Sequence, residues 1–318
     1  MNILFIGFSS LVKRRVLPSV AIINGIKKIS IASQSLNNLD MIENKKRGEL
    51  FSSYNNAIHN SKCELVYISL PNSLHYKYAK KSLESGKHVI IDKPSVMNES
   101  EAKDLYDLSN EKNLCLAEAN VWMHHNIAKS MKSFFKKNCK PLNIHMTFTS
   151  PPLDEKNFRY NPKYGSGIIY DRASYVISCG KYFYDSYPED VKCFVNKVDQ
   201  KNGVDISASI ALVYSEGQTI QSFISLSAEY KNEISCIGKN YSIFSERIFT
   251  PPTDYEGNIL VNESNEKKII NVVNDDSFKN FIVNVIESIG QNKYSDYAFD
   301  LLNQSKIMDK IIEKGKGL

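Results

Sequence analysis

The amino-acid sequence predicts an α/β protein in two parts. The first is a parallel sheet covered by helices; the second is an α+β domain on a large, mostly antiparallel open sheet. Three observations carry this. Up to about residue 119, apolar runs alternate with helix-length segments over short connections, as in a parallel sheet. From Asn143 the pattern becomes strict apolar–polar alternation, the mark of strands with one covered face. Two segments with apolar residues at helical spacing close the chain.

Ile3 to Ile6 is a continuous apolar run ended by Gly7, as expected of a central parallel strand. A helix is predicted from Leu11 or Val12, with Val16, Leu17 and Val20 on one face and Pro18 interrupting or bending it. Residues 28–33 read as the second strand, 65–70 as the third and 89–91 as the fourth. Between the last two, residues 75–85 have helical periodicity through Tyr78, Ala79 and Leu83, and Gly86 is placed to end the helix. Residues 99–110 form another, with Ala102, Leu105 and Leu108 spaced for burial and Asn98 or Ser100 as cap. A short strand over 114–117 completes this half.

In the second half Ile144, Met146 and Phe148 alternate with polar residues. Strand-like runs recur at 191–198, 205–214, 217–228, 232–238, 240–247 and 267–273, with Gly217 in a hairpin turn. Phe278, Phe281, Ile282, Val285, Ile286 and Ile289 mark one closing helix; Ala298, Leu301, Leu302, Ile307, Met308 and Ile311 mark the other. The expected domains are 1–119 and 120–318, with the closing helices near the junction. No low-complexity linker separates them, so a tightly docked pair with a cleft for a small molecule is expected.

Composition narrows the function. The 318 residues carry 40 basic and 35 acidic side chains, a net charge of +5 that is dispersed along the chain. Lys45-Lys46-Arg47 and Lys136-Lys137 read as solvated faces, and no nucleic-acid reading element accompanies them. There is no run of 18 apolar residues and no signal-peptide pattern at the start, so no membrane partner and a cytoplasmic location are expected. The six cysteines are widely spaced without C-x-x-C, which favours structural thiols and no metal.

The turn after the first strand reads Gly7-Phe8-Ser9-Ser10-Leu11-Val12. Ser9 stands where a dinucleotide turn has its second glycine, and Val12 where it has its third glycine or alanine. Ser9 makes backbone approach to a pyrophosphate harder, although its hydroxyl offers a phosphate contact. The second strand ends in Ser33-Gln34-Ser35, with no acidic residue to hold two ribose hydroxyls and with Lys13 and Arg14 nearby. This favours NADP(H), with NAD(H) still open. Leu70, Pro71, Asn72 and His75 lie where the third strand meets its helix, the edge that faces a cofactor. Asn72 suits ribose or nicotinamide; His75 either does the same or caps and packs the helix.

Leu70-Pro71-Asn72-Ser73-Leu74-His75, Glu84-Ser85-Gly86-Lys87-His88-Val89 and Asp92-Lys93-Pro94 together resemble the glucose-fructose oxidoreductase/inositol dehydrogenase/MocA family. Gly165-Ser166-Gly167-Ile168-Ile169-Tyr170-Asp171-Arg172-Ala173-Ser174-Tyr175 is similar to its second characteristic segment. The resemblance spans essentially the whole chain. It implies an N-terminal Rossmann-type NAD(P) domain and a homodimer or homotetramer through the open sheet of the second domain. It also implies that Lys93 lies at the nicotinamide end, with Asp92 in place of the usual Glu, and that Asp171 and Tyr175 face the substrate.

On that resemblance Lys93, Tyr175 and Asp171 are the catalytic candidates. Tyr175 is the first choice for proton transfer and Lys93 the second; Asp171 either orients substrate hydroxyls or holds Lys93. Asn120, Trp122 and His124 are expected in the substrate site. Arg172 either faces an acidic group, such as the phosphates of a nucleotide-linked sugar, or lies on the surface. Ser166 replaces a glycine common there, and Arg172-Ala173 replaces the usual apolar residue and glycine. The expected reaction is hydride transfer between NADP(H) or NAD(H) and a sugar or nucleotide-linked keto sugar. A non-redox dinucleotide- or sugar-sensing protein and an NAD-dependent glycoside hydrolase are the competing readings.

Overall fold

The computed structural model describes residues 1–36 and 38–316, which fall into two compact units. The first comprises Met1–Ala119 with Phe278–Ser305. The second comprises Asn120–Ser277 with Lys306–Leu318, of which residues 317 and 318 lie outside the described residues.

The first unit threads β1 (Asn2–Ile6), α1 (Leu17–Ala21), β2 (Lys28–Ala32), β3 (Arg47–Phe51), α2 (Tyr54–Asn60), β4 (Leu65–Ile68), α3 (His75–Glu84), β5 (His88–Ile91), α4 (Glu99–Glu111) and β6 (Leu116–Glu118). All strands are parallel, in the order β3-β2-β1-β4-β5-β6. The order reverses between β1 and β4, so the chain leaves these neighbours in opposite directions and opens a crevice at their carboxyl ends. Register makes that edge level: Ile6 pairs with Ala32 and Ile68, Ile68 with Ile91, and Ile91 with Glu118. Gly7, Ser33, Ser69, Asp92 and Ala119 therefore follow in one row.

Two details depart from expectation. The helix after Gly7 opens with a π-helical turn, Val12–Val16, in which the Leu17 N–H reaches the Val12 carbonyl. Pro18 has no N–H to continue the usual pattern, so the wider turn is tolerated there. The segment 34–64 holds β3 and α2, which the apolar pattern did not announce. β3 is an edge strand and only half-buried, so it needs no apolar run.

The second unit contains α5 (Asn126–Lys137), β7 (Asn143–Thr149), α6 (Ile168–Tyr184), β8 (Asp190–Val198), β9 (Asp205–Val213), β10 (Thr219–Ser225), β11 (Lys231–Ile237), β12 (Tyr241–Glu246), β13 (Gly257–Glu263) and β14 (Glu266–Val272). They form an eight-stranded sheet, β14-β13-β12-β11-β7-β10-β9-β8, antiparallel except where β7 meets β10. Burial alternates along the strands, and Ile144, Met146, Ile220, Ile234 and Ile243 share a core with Val176 and Ile177 of α6. Phe194, Val213, Ile237, Leu260 and Ile269 remain exposed on the strands.

The expected assignment of all of 120–318 to one domain needs correction. α7 (Ser277–Gly290) and the start of α8 (Ser295–Gly315) belong largely with the first unit. Ala298 and Leu301 pack into the core that holds Leu83 and Leu105, whereas Ile307, Met308 and Ile311 join the core of the second unit. One apolar stripe thus serves two cores. No helix among the described residues is long and apolar enough to cross a membrane.

Gly7 is the most constrained backbone position of the cofactor edge. Its φ is +95°, and a Cβ there would collide with the Ser69 carbonyl and sit 2.7 Å from Leu70 Cδ2. Gly7→Ala is expected to lower the unfolding free energy by at least about 2 kcal/mol in urea denaturation. A change within about 0.5 kcal/mol, the range of an unconstrained surface site, would contradict this geometry.

Candidate active site

In the first unit the turn after β1 is pinned by hydrogen bonds. The Gly7 N–H donates to the Ala32 carbonyl at 3.0 Å. Ser9 is the helix cap: its Oγ accepts from the Val12 N–H at 3.1 Å, and its carbonyl accepts from the Lys13 N–H at 3.0 Å. Ser9 Oγ also lies 2.7 Å from Ser69 Oγ at the end of β4. The neighbouring strand end, Ser33-Gln34-Ser35, makes its own tight turn, with the Ser35 N–H on Ser33 Oγ at 3.2 Å. No carboxylate stands in that turn, which suits a 2′-phosphate better than a free ribose diol.

Lys93 lies two residues beyond β5 and precedes a cis Lys93–Pro94 bond, and the residues flanking it are held by other segments. The Asp92 carboxylate accepts from Tyr67 Oη at 2.5 Å and from the Ser69 hydroxyl. Burial pushes Asp92 up from the usual carboxylate range, and the Ser69 and Tyr67 donors oppose that. Burial, reinforced by Asp92, also pushes the Tyr67 phenol well up. The Pro94 carbonyl lies 2.8 Å from His75 Nδ1, and the Ser95 N–H donates to Glu118 Oε1 at 2.8 Å. The other Glu118 oxygen accepts from the Gln304 amide.

His75 was expected to touch cofactor or to cap and pack its helix, and the second alternative is the one seen. The ring is fully buried, and Nε2 lies 2.8 Å from the Leu70 carbonyl, so it bridges the strand ends of β4 and β5. Only an imidazolium would donate to both carbonyls, and these acceptors and Asp92 favour it against the larger effect of burial, which lowers the pKa. Its place among the cofactor contacts is therefore corrected: it shapes the edge from behind. Leu70, Pro71 and Asn72 remain partly exposed there, with Asn72 opening a single 3-10 turn, Asn72–Leu74.

In the second unit the Gly165-Ser166-Gly167 segment delivers α6. Gly165 and Gly167 have φ of +67° and +104°, and a Cβ on Gly167 would meet the Asp205 carboxylate. Asp205 accepts from the Ile169 N–H at 2.8 Å and so anchors the start of α6 from β9. Burial raises the Asp205 pKa. The anchored helix presents Asp171 and Tyr175 one turn apart.

Asp171 is bracketed by two guanidiniums, Arg159 Nε at 3.0 Å and Arg172 Nε at 3.5 Å. Asp171 raises the Arg159 pKa, with Tyr175 adding to the effect. Arg172 does not lie on the surface, which corrects that reading, and its guanidinium is engaged by the protein itself. It is 6% exposed, donates to the Phe148 and Ser225 carbonyls at 2.7 Å each and to Ser150 Oγ at 2.8 Å, and stacks on Phe148. Burial lowers its pKa. Its guanidinium thus ties together the ends of the parallel pair β7 and β10, where the Ser225 carbonyl also accepts from the Ser150 N–H at 3.0 Å. Tyr175 packs its ring against Phe148 and Phe249.

Trp122 is likewise corrected from substrate contact to core: it is fully buried, and its indole N–H donates to Ser178 Oγ at 2.9 Å. His125 is buried as the cap of α5, accepting from the Ile127 N–H at 3.2 Å. His124 is partly exposed, with its pKa lowered to about 4 by burial and Lys129. Asn120 is 7% exposed.

Five residues were not anticipated: Tyr67, Ser69 and Glu118 around Lys93 in the first unit, and Arg159 and Asp205 around the start of α6 in the second. Ser69 and Glu118 sit at strand ends, where the row of residues leaving the sheet pointed. Arg159 and Asp205 carried no signal, because they reach α6 from segments distant in the chain.

His75→Ala would orphan two buried carbonyls and open a cavity. An unfolding free energy lower by about 2–4 kcal/mol is expected in thermal or urea unfolding, with weaker nicotinamide-dinucleotide binding in the folded fraction. Unchanged stability would show that the ring bridges nothing.

The description "Oxidoreductase family, NAD-binding Rossmann fold" matches residues 1–119, and "GFO/IDH/MocA C-terminal domain" matches residues 139–244. The chain is 26% identical over 259 residues to the dTDP-3,4-didehydro-2,6-dideoxy-alpha-D-glucose 3-reductase of Saccharopolyspora spinosa, covering 80% of this chain and 77% of that one. The enzyme of the same name from Actinomadura kijaniata is 22% identical over 309 residues, covering 96% and 93%. In three dimensions a 3-ketoreductase from Actinomadura kijaniata, solved with NADP and TDP-benzene, superposes with a TM-score of 0.90 at 21% identity, covering 99% of this chain and 98% of that one. The aldose-aldose oxidoreductase of Caulobacter crescentus gives 0.88 at 15%, covering 99% and 97%. With a dinucleotide sheet, a lysine held at its carboxyl edge and both family domains matched, this chain belongs to the GFO/IDH/MocA family of oxidoreductases.

Proposed function

We propose that this protein is an NADPH-dependent reductase of a nucleotide-linked keto sugar. The observation that carries the proposal is the Lys93 loop. It is locked through Asp92, Pro94 and Ser95 at the carboxyl edge of a sheet whose second strand ends without a carboxylate. The relatives named as dTDP-keto-sugar 3-reductases support the substrate class, and the NADP in a related structure agrees with the Ser33-Gln34-Ser35 turn. NAD(H) is the alternative cofactor.

The residues fit such a cofactor. Gly7 leaves room that a Cβ would fill, and the backbone from Gly7 through Phe8, Ser9, Ser10 and Leu11 is the place for its pyrophosphate. Ser33, Gln34 and Ser35 would take the 2′-phosphate, and Leu70, Pro71 and Asn72 the ribose and nicotinamide side. When bound, the reduced nicotinamide supplies the hydride. Lys93 stabilises the negative charge that develops on the carbonyl oxygen, and Tyr175 delivers the proton to it. Asp171 holds Arg159 beside that phenol. Asn120 and His124 are the remaining candidates for substrate contact. The same reading places the enzyme in the cytoplasm as a homodimer or homotetramer through the exposed strand face bearing Phe194, Ile237 and Leu260.

Titration with NADPH and NADH, followed by nicotinamide fluorescence, tests the cofactor; tighter saturable binding of NADPH is expected. Turnover of a dTDP-linked 3-keto-6-deoxy sugar is expected to fall by about 10²–10⁴-fold in Lys93→Ala and in Tyr175→Phe, with NADPH binding largely retained in the second. Binding of neither cofactor would favour a non-redox role. Sedimentation at a monomer mass would remove the oligomer from the proposal.

A further inference from the structure

The serine in place of the second glycine belongs to a hydrogen-bond chain whose direction can be read. Ser69 has one hydroxyl hydrogen, and it goes to the Asp92 carboxylate, which can only accept when ionised. At the 2.7 Å contact between Ser9 Oγ and Ser69 Oγ, Ser69 must therefore be the acceptor and Ser9 the donor. Ser9 in turn accepts from the Val12 N–H. The order is Val12 N–H to Ser9, Ser9 O–H to Ser69, and Ser69 O–H to Asp92, the residue immediately before Lys93.

Two consequences follow. The Ser9 proton is committed, so the hydroxyl has only lone pairs to show a phosphate and does not serve as a phosphate donor in this arrangement. The turn that would carry the pyrophosphate is also tied by side chains to the strand end that carries the lysine. The first link, from the turn to the end of β4, is close on independent grounds, because Gly7 lies so near the Ser69 carbonyl that a Cβ would not fit. Donors in series polarise one another, so each hydroxyl strengthens the next link.

We propose that Ser9 is a positioning residue which acts through Ser69 and Asp92 on Lys93, coupling the dinucleotide turn to the catalytic lysine, and that it replaces glycine for this reason. The claim about turnover rests on the reductase reading above; the coupling itself does not.

The test is a double-mutant cycle on the full-length protein with Ser9→Ala, Ser69→Ala and the double variant. With NADPH and a dTDP-linked 3-keto sugar, each single variant is expected to lower kcat about five- to tenfold while the NADPH Kd stays within about twofold. The double variant is expected to be no worse than the poorer single one. Ser9→Thr, which keeps a hydroxyl, should recover most of the kcat lost in Ser9→Ala. A Ser9→Ala variant with weakened NADPH binding and unchanged kcat would make Ser9 a phosphate ligand and overturn the proposal. Strictly additive losses would overturn it as well. The same cycle is read in thermal unfolding of the protein without cofactor, where non-additivity between Ser9 and Ser69 is expected whether or not a keto sugar is turned over. Its absence overturns the chain. Absence of turnover in the parent protein, with that coupling present, overturns the reductase reading instead.

Discussion

A buried carboxylate that must be satisfied organises the cofactor edge of this protein. Asp92 ends a strand enclosed by its neighbours, where an unpaired charge would cost several kcal/mol. Tyr67, in β4, and Ser69, just past its end, supply its donors, and β4 is paired beside β5. Before Lys93 the Asp92 carboxylate is held by Tyr67 and Ser69, and after it the backbone of Pro94 and Ser95 meets the His75 and Glu118 side chains, so a flexible cation is presented from a rigid base. Pre-organisation of this kind lets an ammonium stabilise developing charge without first being ordered.

The same device recurs in the second unit with different residues. Asp205 reaches from β9 to the first N–H groups of α6, Arg172 reaches from α6 to the ends of two strands, and Arg159 reaches back to Asp171. The first satisfies helix N–H groups that have no partner within the helix, the second joins two strand ends, and the third is an ion pair between side chains. Two glycines at positive φ let the chain turn into the helix close to Asp205. The result is a helix whose start is anchored by a carboxylate, carrying a tyrosine one turn along from an aspartate already paired.

Residues that looked like ligands became struts for one reason. His75, Trp122 and Arg172 are large side chains with polar tips, placed where elements end. At such places the nearest unsatisfied partners belong to the protein: the Leu70 and Pro94 carbonyls, the Ser178 hydroxyl, and the Phe148 and Ser225 carbonyls. A motif names the neighbourhood, while the count of local donors and acceptors decides whether a side chain in it has capacity left for a ligand.

The parallel sheet, the alternating strands of the second half, the lysine at a strand end and the tyrosine one helical turn from an aspartate were all legible in the order of residues. Those features depend on local periodicity, on glycine and proline, and on the fixed spacing of side chains along a strand or helix. The half-buried β3 escaped because edge strands need no apolar run. Only the tertiary structure decided that His75 bridges two loops, that Ser9 donates toward Asp92, that Arg159 pairs with Asp171, and that α7 serves the first unit. Each of those contacts is chosen by where packing brings the side chains, and no local pattern of residue types encodes that.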